Sequence, residues 1–347
     1  MADSNTFNAW ACEGKGKPLV QMQLPLRPWD ESSIELKITH CGVCGSDVHT
    51  LDSGWGPTDY PCVVGHEIAG VVTKVGKNVK KLKVGDRAGL GPICGSCQSC
   101  TRCFSGNDNL CAKMFGTYNG HWLTGEKTYG GYADKWRGDQ QFVCKIPDNM
   151  TNENASTFLC AGVTTYAPLK RWNTGPGSVV GVLGIGGLGH FGVMFAKAMG
   201  ATVIALSSSD RKRDVAFELG CDDYVVTSDA EAMKKHDSKL THILCTGVGE
   251  DFTWEPYFNL LVPNGVFINV NLPEFLYPPV PFFPQLVKQA VITASAGGSS
   301  SDAEEMLQFA ADHNIRAWYT KYPMKDVNKA IEDFRAGKPR FRFVLEN

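Results

Sequence analysis

The rhythm of hydrophobic positions along the chain changes near residue 155. Before it, β-branched runs such as Ile68-Ala69-Gly70-Val71-Val72-Thr73-Lys74-Val75 and Phe142-Val143-Cys144-Lys145-Ile146 are interrupted by Gly and Pro, the pattern of a mostly β, loop-heavy unit. Beyond it, Val179-Val180-Gly181-Val182-Leu183 is a continuous apolar run, followed by a helix-compatible stretch from Gly189 to Met199. Ala201-Thr202-Val203-Ile204-Ala205-Leu206, a helical stretch from Asp210 to Leu219, His242-Ile243-Leu244-Cys245 and Gly265-Val266-Phe267-Ile268-Asn269-Val270 continue the series. Apolar strands alternating with helices predict parallel βαβ units, an α/β doubly wound domain. A helical stretch from Asp302 to His313 and a closing strand Phe341-Arg342-Phe343-Val344-Leu345 read as a return segment. The predicted boundaries are therefore 1–155 for a β-rich unit, 156–295 for an α/β unit, and 296–347 for the return segment. The stretch Pro273 to Pro284 is too rich in proline for a central strand or a helix. It is expected to be an apolar loop that lines a pocket or meets another subunit.

Length and composition add exclusions. At 347 residues the chain has room for two domains. A formal net charge of −2 supplies no drive toward nucleic acid or anionic lipid. No window offers the roughly 20 apolar residues of a membrane helix, and Met1 to Asn8 has neither the basic start nor the apolar core of an export signal. The expectation is a cytoplasmic protein, in which the sequons at Asn149 and Asn154 carry no glycan. Thirteen cysteines, an odd number with five between Cys94 and Cys111, fit a disulfide framework poorly and point to metal or catalysis.

Gly184-Ile185-Gly186-Gly187-Leu188-Gly189 is a G-x-G-x-x-G that follows a strand pattern and opens a helix pattern. In that context Gly184 permits the tight turn, Gly186 lets the backbone approach a pyrophosphate, and Gly189 allows close packing of helix on strand. The helix start then offers free N–H groups to the phosphates. An NAD site usually carries an acidic residue at the end of the second strand. Here that place is taken by Ser207-Ser208-Ser209-Asp210-Arg211-Lys212-Arg213. Small hydroxyls and cations suit a 2′-phosphate, so NADP(H) is predicted, with Ser207, Ser208 and Lys212 as contacts. Asp210 lies past the strand end, where capping the helix is its alternative role.

Cys97, Cys100, Cys103 and Cys111 place four soft donors in fifteen residues, a full tetrahedral shell for a structural zinc. A nucleic-acid zinc ribbon is disfavoured because the surrounding residues hold one Arg and no basic cluster. Cys94 is a fifth possible donor, left out because the other four complete a shell. A second set of donors is dispersed: Cys41-Gly42-Val43-Cys44-Gly45-Ser46-Asp47-Val48-His49, Gly65-His66-Glu67, and Leu159-Cys160-Ala161-Gly162. Taken singly, these read equally well as a core thiol, a satisfied histidine or a surface carboxylate.

Taken in order, Cys44 to His49, Gly65-His66-Glu67, Val84-Gly85-Asp86-Arg87, the four-cysteine segment, Leu159 to Tyr166, the glycine loop and Ser207 to Arg213 resemble the zinc-dependent medium-chain alcohol dehydrogenases, specifically their cinnamyl-alcohol-dehydrogenase-like, NADP-dependent branch. The resemblance spans essentially the whole chain. It implies a GroES-like catalytic domain with an inserted Rossmann domain, and an active cleft between the two. It also implies two zinc ions per subunit, the catalytic one held by Cys44, His66 and Cys160 with Glu67 beside it. By the same resemblance Asp47 orients His66 through its second ring nitrogen, and a proton relay runs from Ser46 through the nicotinamide ribose to His49. Cys94 is implied to line the substrate cleft, and Trp55, Tyr60, Trp122 and Phe283 are aromatic candidates for its wall.

The implied activity is reversible hydride transfer between NADPH and aldehydes, aromatic or medium-chain, giving primary alcohols. The implied assembly is a homodimer formed through the Rossmann edge strands and the apolar stretch before residue 290. Polyol or secondary-alcohol oxidation on the same zinc is the alternative chemistry, and a non-catalytic NADPH-binding redox sensor the alternative class.

Overall fold

The interrupted β-branched runs of the first part fold into antiparallel ladders. In the computed structural model, which describes residues 5–347, these strands are β1 (Thr6–Cys12), β2 (Leu19–Pro25), β3 (Ser33–Val43), β4 (Glu67–Val75), β5 (Arg87–Leu90), β6 (Ile93–Gly95), β7 (Phe115–Gly116), β8 (Lys135–Asp139) and β9 (Cys144–Lys145). The apolar runs of the middle part become β10 (Val179–Leu183), β11 (Thr202–Ser207), β12 (Asp223–Val226), β13 (Leu240–Cys245), β14 (Leu261–Asn269) and β15 (Val291–Ala294). The last segment adds β16 (Tyr319–Pro323) and β17 (Arg342–Glu346). Two units result, one of Met1–Ala161 with Gly298–Asn347 and one of Gly162–Gly297. The reading of the first four residues as lacking an export signal lies outside the described residues.

In the first unit the main sheet runs β16-β17-β3-β4-β5-β9, with β8 also on β3, while β1–β2 and β6–β7 form separate ribbons. Strand β3 is its spine. Ile34, Leu36, Ile38, Cys41 and Val43 are almost wholly buried, and β3 pairs antiparallel with β4, β8 and β17. The return segment is thus part of the sheet, since Val344 of β17 stands opposite Gly42 of β3, and Gly42 in turn opposite Glu67 of β4.

The second unit is the doubly wound α/β fold expected. Its six parallel strands lie in the order β12-β11-β10-β13-β14-β15. The order reverses direction at β10, the arrangement that opens a crevice at the carboxyl ends of the strands. Val180, Val182, Ile243, Leu244 and Phe267 are covered on the sheet's faces, which is why their strands read as unbroken apolar runs.

Two local expectations are corrected. The run Phe142–Ile146 keeps only Cys144–Lys145 as strand, because the Asp139 carboxylate accepts the Gln141 N–H at 2.8 Å and winds Gln140–Phe142 into a 3₁₀ turn. The proline-rich stretch is irregular until Pro281, but Phe282–Lys288 is a helix. Pro284 falls in its first turn, where N–H groups have no intrahelical partner and proline costs little. At the second sequon Asn154 is buried, and its side-chain oxygen accepts the Ala317 N–H at 2.9 Å, a position with no room for a glycan. Among the described residues no helix is long and apolar enough to cross a membrane.

Candidate metal centres and dinucleotide loop

Three dispersed donor segments converge at the ends of β3 and β4. Cys44 follows β3 and leads into the short helix Gly45–Leu51. His66 immediately precedes β4 and Glu67 begins it. Cys160 lies in the wide helical turn Phe158–Gly162, a π-type turn of the kind that recurs at functional sites. One donor atom each from Cys44, His66, Glu67 and Cys160 falls within 4.8 Å of all the others, and the Cys44 and Cys160 sulfurs are 3.8 Å apart.

These donors fit a cation. His66 Nε2 and Glu67 Oε2 are buried with no hydrogen-bond partner, an arrangement that costs free energy unless something completes it. The electrostatics point the same way. The contact with Cys160 holds the Cys44 thiol well below the usual range, helped by His66 and Arg342 against the effect of burial, and the same contact pushes the Cys160 thiol up. Burial works against charge on His66, yet the Cys44 sulfur and the Asp47 and Glu67 carboxylates carry it up to about 9. Burial lifts Glu67 to about 7, with Arg342 opposing.

Asp47 does not act as expected. Instead of reaching His66, its carboxylate accepts the Cys44 N–H at 2.9 Å, the Gly65 N–H at 3.0 Å and the Tyr132 hydroxyl at 3.0 Å. It therefore ties the turn that presents Cys44 to the turn that presents His66, through backbone rather than through the imidazole. Ser46 stays close, its hydroxyl 3.6 Å from the Cys44 sulfur. On the same helix His49 stacks on Trp55 with ring centroids 4.4 Å apart.

Sequence reading missed two neighbours of this cluster. Arg342 on β17 is buried and hydrogen-bonds to Glu67 Oε1. Glu67 can approach it across the intervening strand because position 42 is glycine, where a Cβ would stand 1.8 Å from Glu67 Oε2. A charge inside the otherwise apolar run Phe341–Leu345 was the available signal, since a buried cation requires a partner. The second is Tyr118, whose ring lies nearly parallel to His66, 5.3 Å away and tilted by 10°. No pattern in the segment around it marked that contact.

The four-cysteine segment closes on itself. The sulfur–sulfur distances are 3.5 Å for Cys97–Cys111, 3.6 Å for Cys100–Cys103, and 3.9 Å for both Cys97–Cys103 and Cys100–Cys111. Four thiolates at a zinc–sulfur distance of about 2.3 Å define a tetrahedron with edges of about 3.8 Å, so the set matches a closed zinc shell. Cys94 lies outside it, fully buried and bonded through sulfur to the Gly116 carbonyl at 3.3 Å. Trp122 is also buried, packed between Phe115 and Trp136, and with Arg27, Phe115 and Asp139 it lines a small cavity. Tyr60 is tied to the Leu51 carbonyl at 2.9 Å, and Phe283 is exposed.

In the second unit the glycine loop joins β10 to the helix Gly189–Ala198. Gly184 has φ +88°, a conformation L-residues resist, and a Cβ on Gly189 would stand 1.9 Å from the Gly184 carbonyl oxygen. A Cβ on Gly186 would meet nothing within 4 Å, leaving open space over the loop for a phosphate. Gly187 and Leu188 complete the turn into the helix. The Lys212 ammonium donates to the Ile185 carbonyl of this loop at 2.6 Å. Ser207 ends β11 and Ser208 follows it. Asp210 caps nothing; it pairs with Arg213 at 2.8 Å.

Comparison with known proteins agrees with this geometry. Residues 30–148 match the family model of the alcohol dehydrogenase GroES-like domain, and residues 187–312 that of zinc-binding dehydrogenases. Mannitol dehydrogenase of Apium graveolens is 40% identical over 97% of this chain and 92% of its own length. NADP-dependent alcohol dehydrogenase C 1 of Mycolicibacterium smegmatis is 40% identical over 99% of this chain and 98% of its own. Among solved structures, a cinnamyl alcohol dehydrogenase of Sorghum bicolor superposes with a TM-score of 0.94 at 36% identity, covering 98% of this chain and 97% of that one.

Proposed function

The chain belongs to the zinc-dependent medium-chain alcohol dehydrogenases of the cinnamyl-alcohol-dehydrogenase-like kind, oxidoreductases of alcohols and aldehydes, and on that premise we propose that it reduces aldehydes to primary alcohols with NADPH, reversibly, using two zinc ions per subunit. The observation that carries this reading is the convergence of Cys44, His66, Glu67 and Cys160 donors within 4.8 Å, two of their atoms buried without a partner. Cys44, His66 and Cys160 would hold the catalytic zinc, and Cys97, Cys100, Cys103 and Cys111 the structural one. When bound, the catalytic zinc supplies Lewis-acid polarisation of a carbonyl or carbinol oxygen, and NADP(H) supplies or takes the hydride.

The chain's own residues supply the rest. Asp47 fixes the two donor turns against each other. Arg342 pairs with Glu67 and offsets the charge of its carboxylate beside the donor sulfurs. Ser46, beside Cys44, exchanges the proton of the substrate hydroxyl, and His49 passes it to solvent, a role suited to an imidazole. For the cofactor, the glycine loop takes the pyrophosphate, and Ser207, Ser208 and Lys212 take the 2′-phosphate. The absence of a carboxylate at the end of β11 supports this choice, as does the pairing of Asp210 with Arg213. The named cofactor of the M. smegmatis relative supports it too.

A homodimer belongs to the same proposal. Strand β15 is a sheet edge, and Leu272, Leu276, Phe282, Phe283, Leu286 and Val287 beside it are exposed. An open edge flanked by apolar surface invites a second copy.

Steady-state kinetics with a panel of cinnamaldehyde-like, furan and straight-chain aldehydes test the reading. Charge-assisted hydrogen bonds are worth about 1.5–3 kcal/mol each, so KM for NADPH is expected at least about tenfold below that for NADH. Elemental analysis is expected to give two zinc per chain, with activity lost on chelation. Faster turnover with NADH, a single metal in fully active protein, or polyol oxidation outrunning aldehyde reduction would each overturn it.

A further inference from the structure

We propose that Tyr118 is a positioning residue for His66, its ring serving as the plate that sets the plane of the imidazole in the donor cluster. This rests on the metal reading above. A metal-binding histidine is usually oriented by a hydrogen bond from its second nitrogen to a carboxylate or carbonyl. Asp47, the carboxylate placed for that task, is engaged by the Cys44 N–H, the Gly65 N–H and the Tyr132 hydroxyl. What faces His66 instead is the Tyr118 ring, at 5.3 Å between centroids and 10° from parallel. Aromatic pairs of this kind are worth about 0.5–1.5 kcal/mol beyond area burial, enough to bias a ring that turns about two bonds.

The contact is made by the ring and not by the hydroxyl. Tyr118 Oη is buried and interacts with the Asp47 carboxylate, not with His66. The segment that carries the ring is also firmly held. The Thr117 N–H donates to the Pro92 carbonyl at 2.8 Å, the Thr117 hydroxyl to the Gly91 carbonyl at 2.6 Å, and Asn119 Oδ1 accepts the Asp59 N–H at 2.9 Å. Just before it, β7 pairs with β6, and these two short strands flank the four-cysteine segment. Closing the cysteine loop therefore braces the ribbon from which Tyr118 extends, a physical reason for a structural metal in this part of the chain.

The test uses the full-length protein with cobalt(II) exchanged into the Cys44–His66–Cys160 set and zinc retained in the four-cysteine loop. Two readouts apart from turnover are followed: the visible ligand-field bands of cobalt and the rate of metal release to a chelator. Replacing an outer residue that orients a ligand typically costs 10–100-fold in metal affinity. Tyr118→Leu is therefore expected to shift the bands and speed release by about tenfold or more, while Tyr118→Phe, which keeps the ring, behaves as the parent. Tyr118→Met carries the same comparison if the Leu variant does not fold by circular dichroism. Parent-like bands and release in the Leu or Met variant overturn the inference, as does a Phe variant that behaves like Leu. A parent protein that takes up no cobalt at this set overturns the metal reading itself, a result distinct from both.

Discussion

Arg342 shows how one residue can be visible in a sequence while its role is not. Its apolar neighbours Phe341, Phe343, Val344 and Leu345 announce a buried strand, and a guanidinium there needs a carboxylate. Which carboxylate was undecidable, because Glu67 lies 275 positions away and reaches it only past a glycine on a third strand. Removing one member of a buried ion pair leaves an uncompensated charge and costs about 3–5 kcal/mol. Arg342→Met is thus expected to lower unfolding stability by that amount in urea titrations. Adding Glu67→Gln should recover part of it, since the stranded charge is then gone. Equal stability of the single and double variants would contradict the assignment. The metal-donor types at Cys44, His66 and Cys160 were readable from the sequence, and their meeting came from the family resemblance. Asp47 was correctly placed near them but given the wrong partner, because its hydrogen bonds go to backbone N–H groups and a distant tyrosine that no spacing rule reveals.

At the scale of elements, local pattern served well where the physics is local. The glycine loop is legible because a tight turn, an open face and a close helix–strand contact each demand the absence of a Cβ at a fixed offset. Gly189→Ala would bring a Cβ to 1.9 Å of the Gly184 carbonyl. It is expected to cost about 1–3 kcal/mol of stability and to weaken NADPH binding at least about tenfold, read by the change in cofactor fluorescence. An unchanged affinity would remove the loop from the proposed phosphate site. The four-cysteine segment was legible for the same reason, since all its donors lie in one short loop. The pattern failed where a cap or a proline exception decided the outcome. Asp139 turned a predicted strand into a 3₁₀ turn, and Pro284 was admitted to a helix because it fell in the first turn.

For the molecule as a whole, the alternation of apolar runs and helices predicted a parallel sheet in the second unit, and the sheet found there has six parallel strands. The first unit's sheet was less legible, because strands that pair across hundreds of residues leave no local trace of their partners. Surface apolarity also acts at this scale. Leu276 is 94% exposed, and burying such side chains recovers about 25 cal/mol per Å². Sedimentation velocity at micromolar concentration is expected to show a dimer, and the pair Leu276→Asp with Phe283→Asp a monomer with unchanged circular dichroism. A monomeric parent protein would refute the interface.

By itself the amino-acid sequence determined what depends on neighbours in the chain: the alternation of strands and helices in the second unit, the glycine turn, and four sulfurs spaced to close on one ion. Tertiary structure alone decided what depends on neighbours in space. Strand β3, flanked by β4 and β17, brings Glu67 within reach of Arg342 over the bare position at Gly42, and the ribbon after the cysteine loop brings Tyr118 against His66. Such encounters depend on sheet register and on the absence of a single side chain, and neither is written in the identity of the residues that meet.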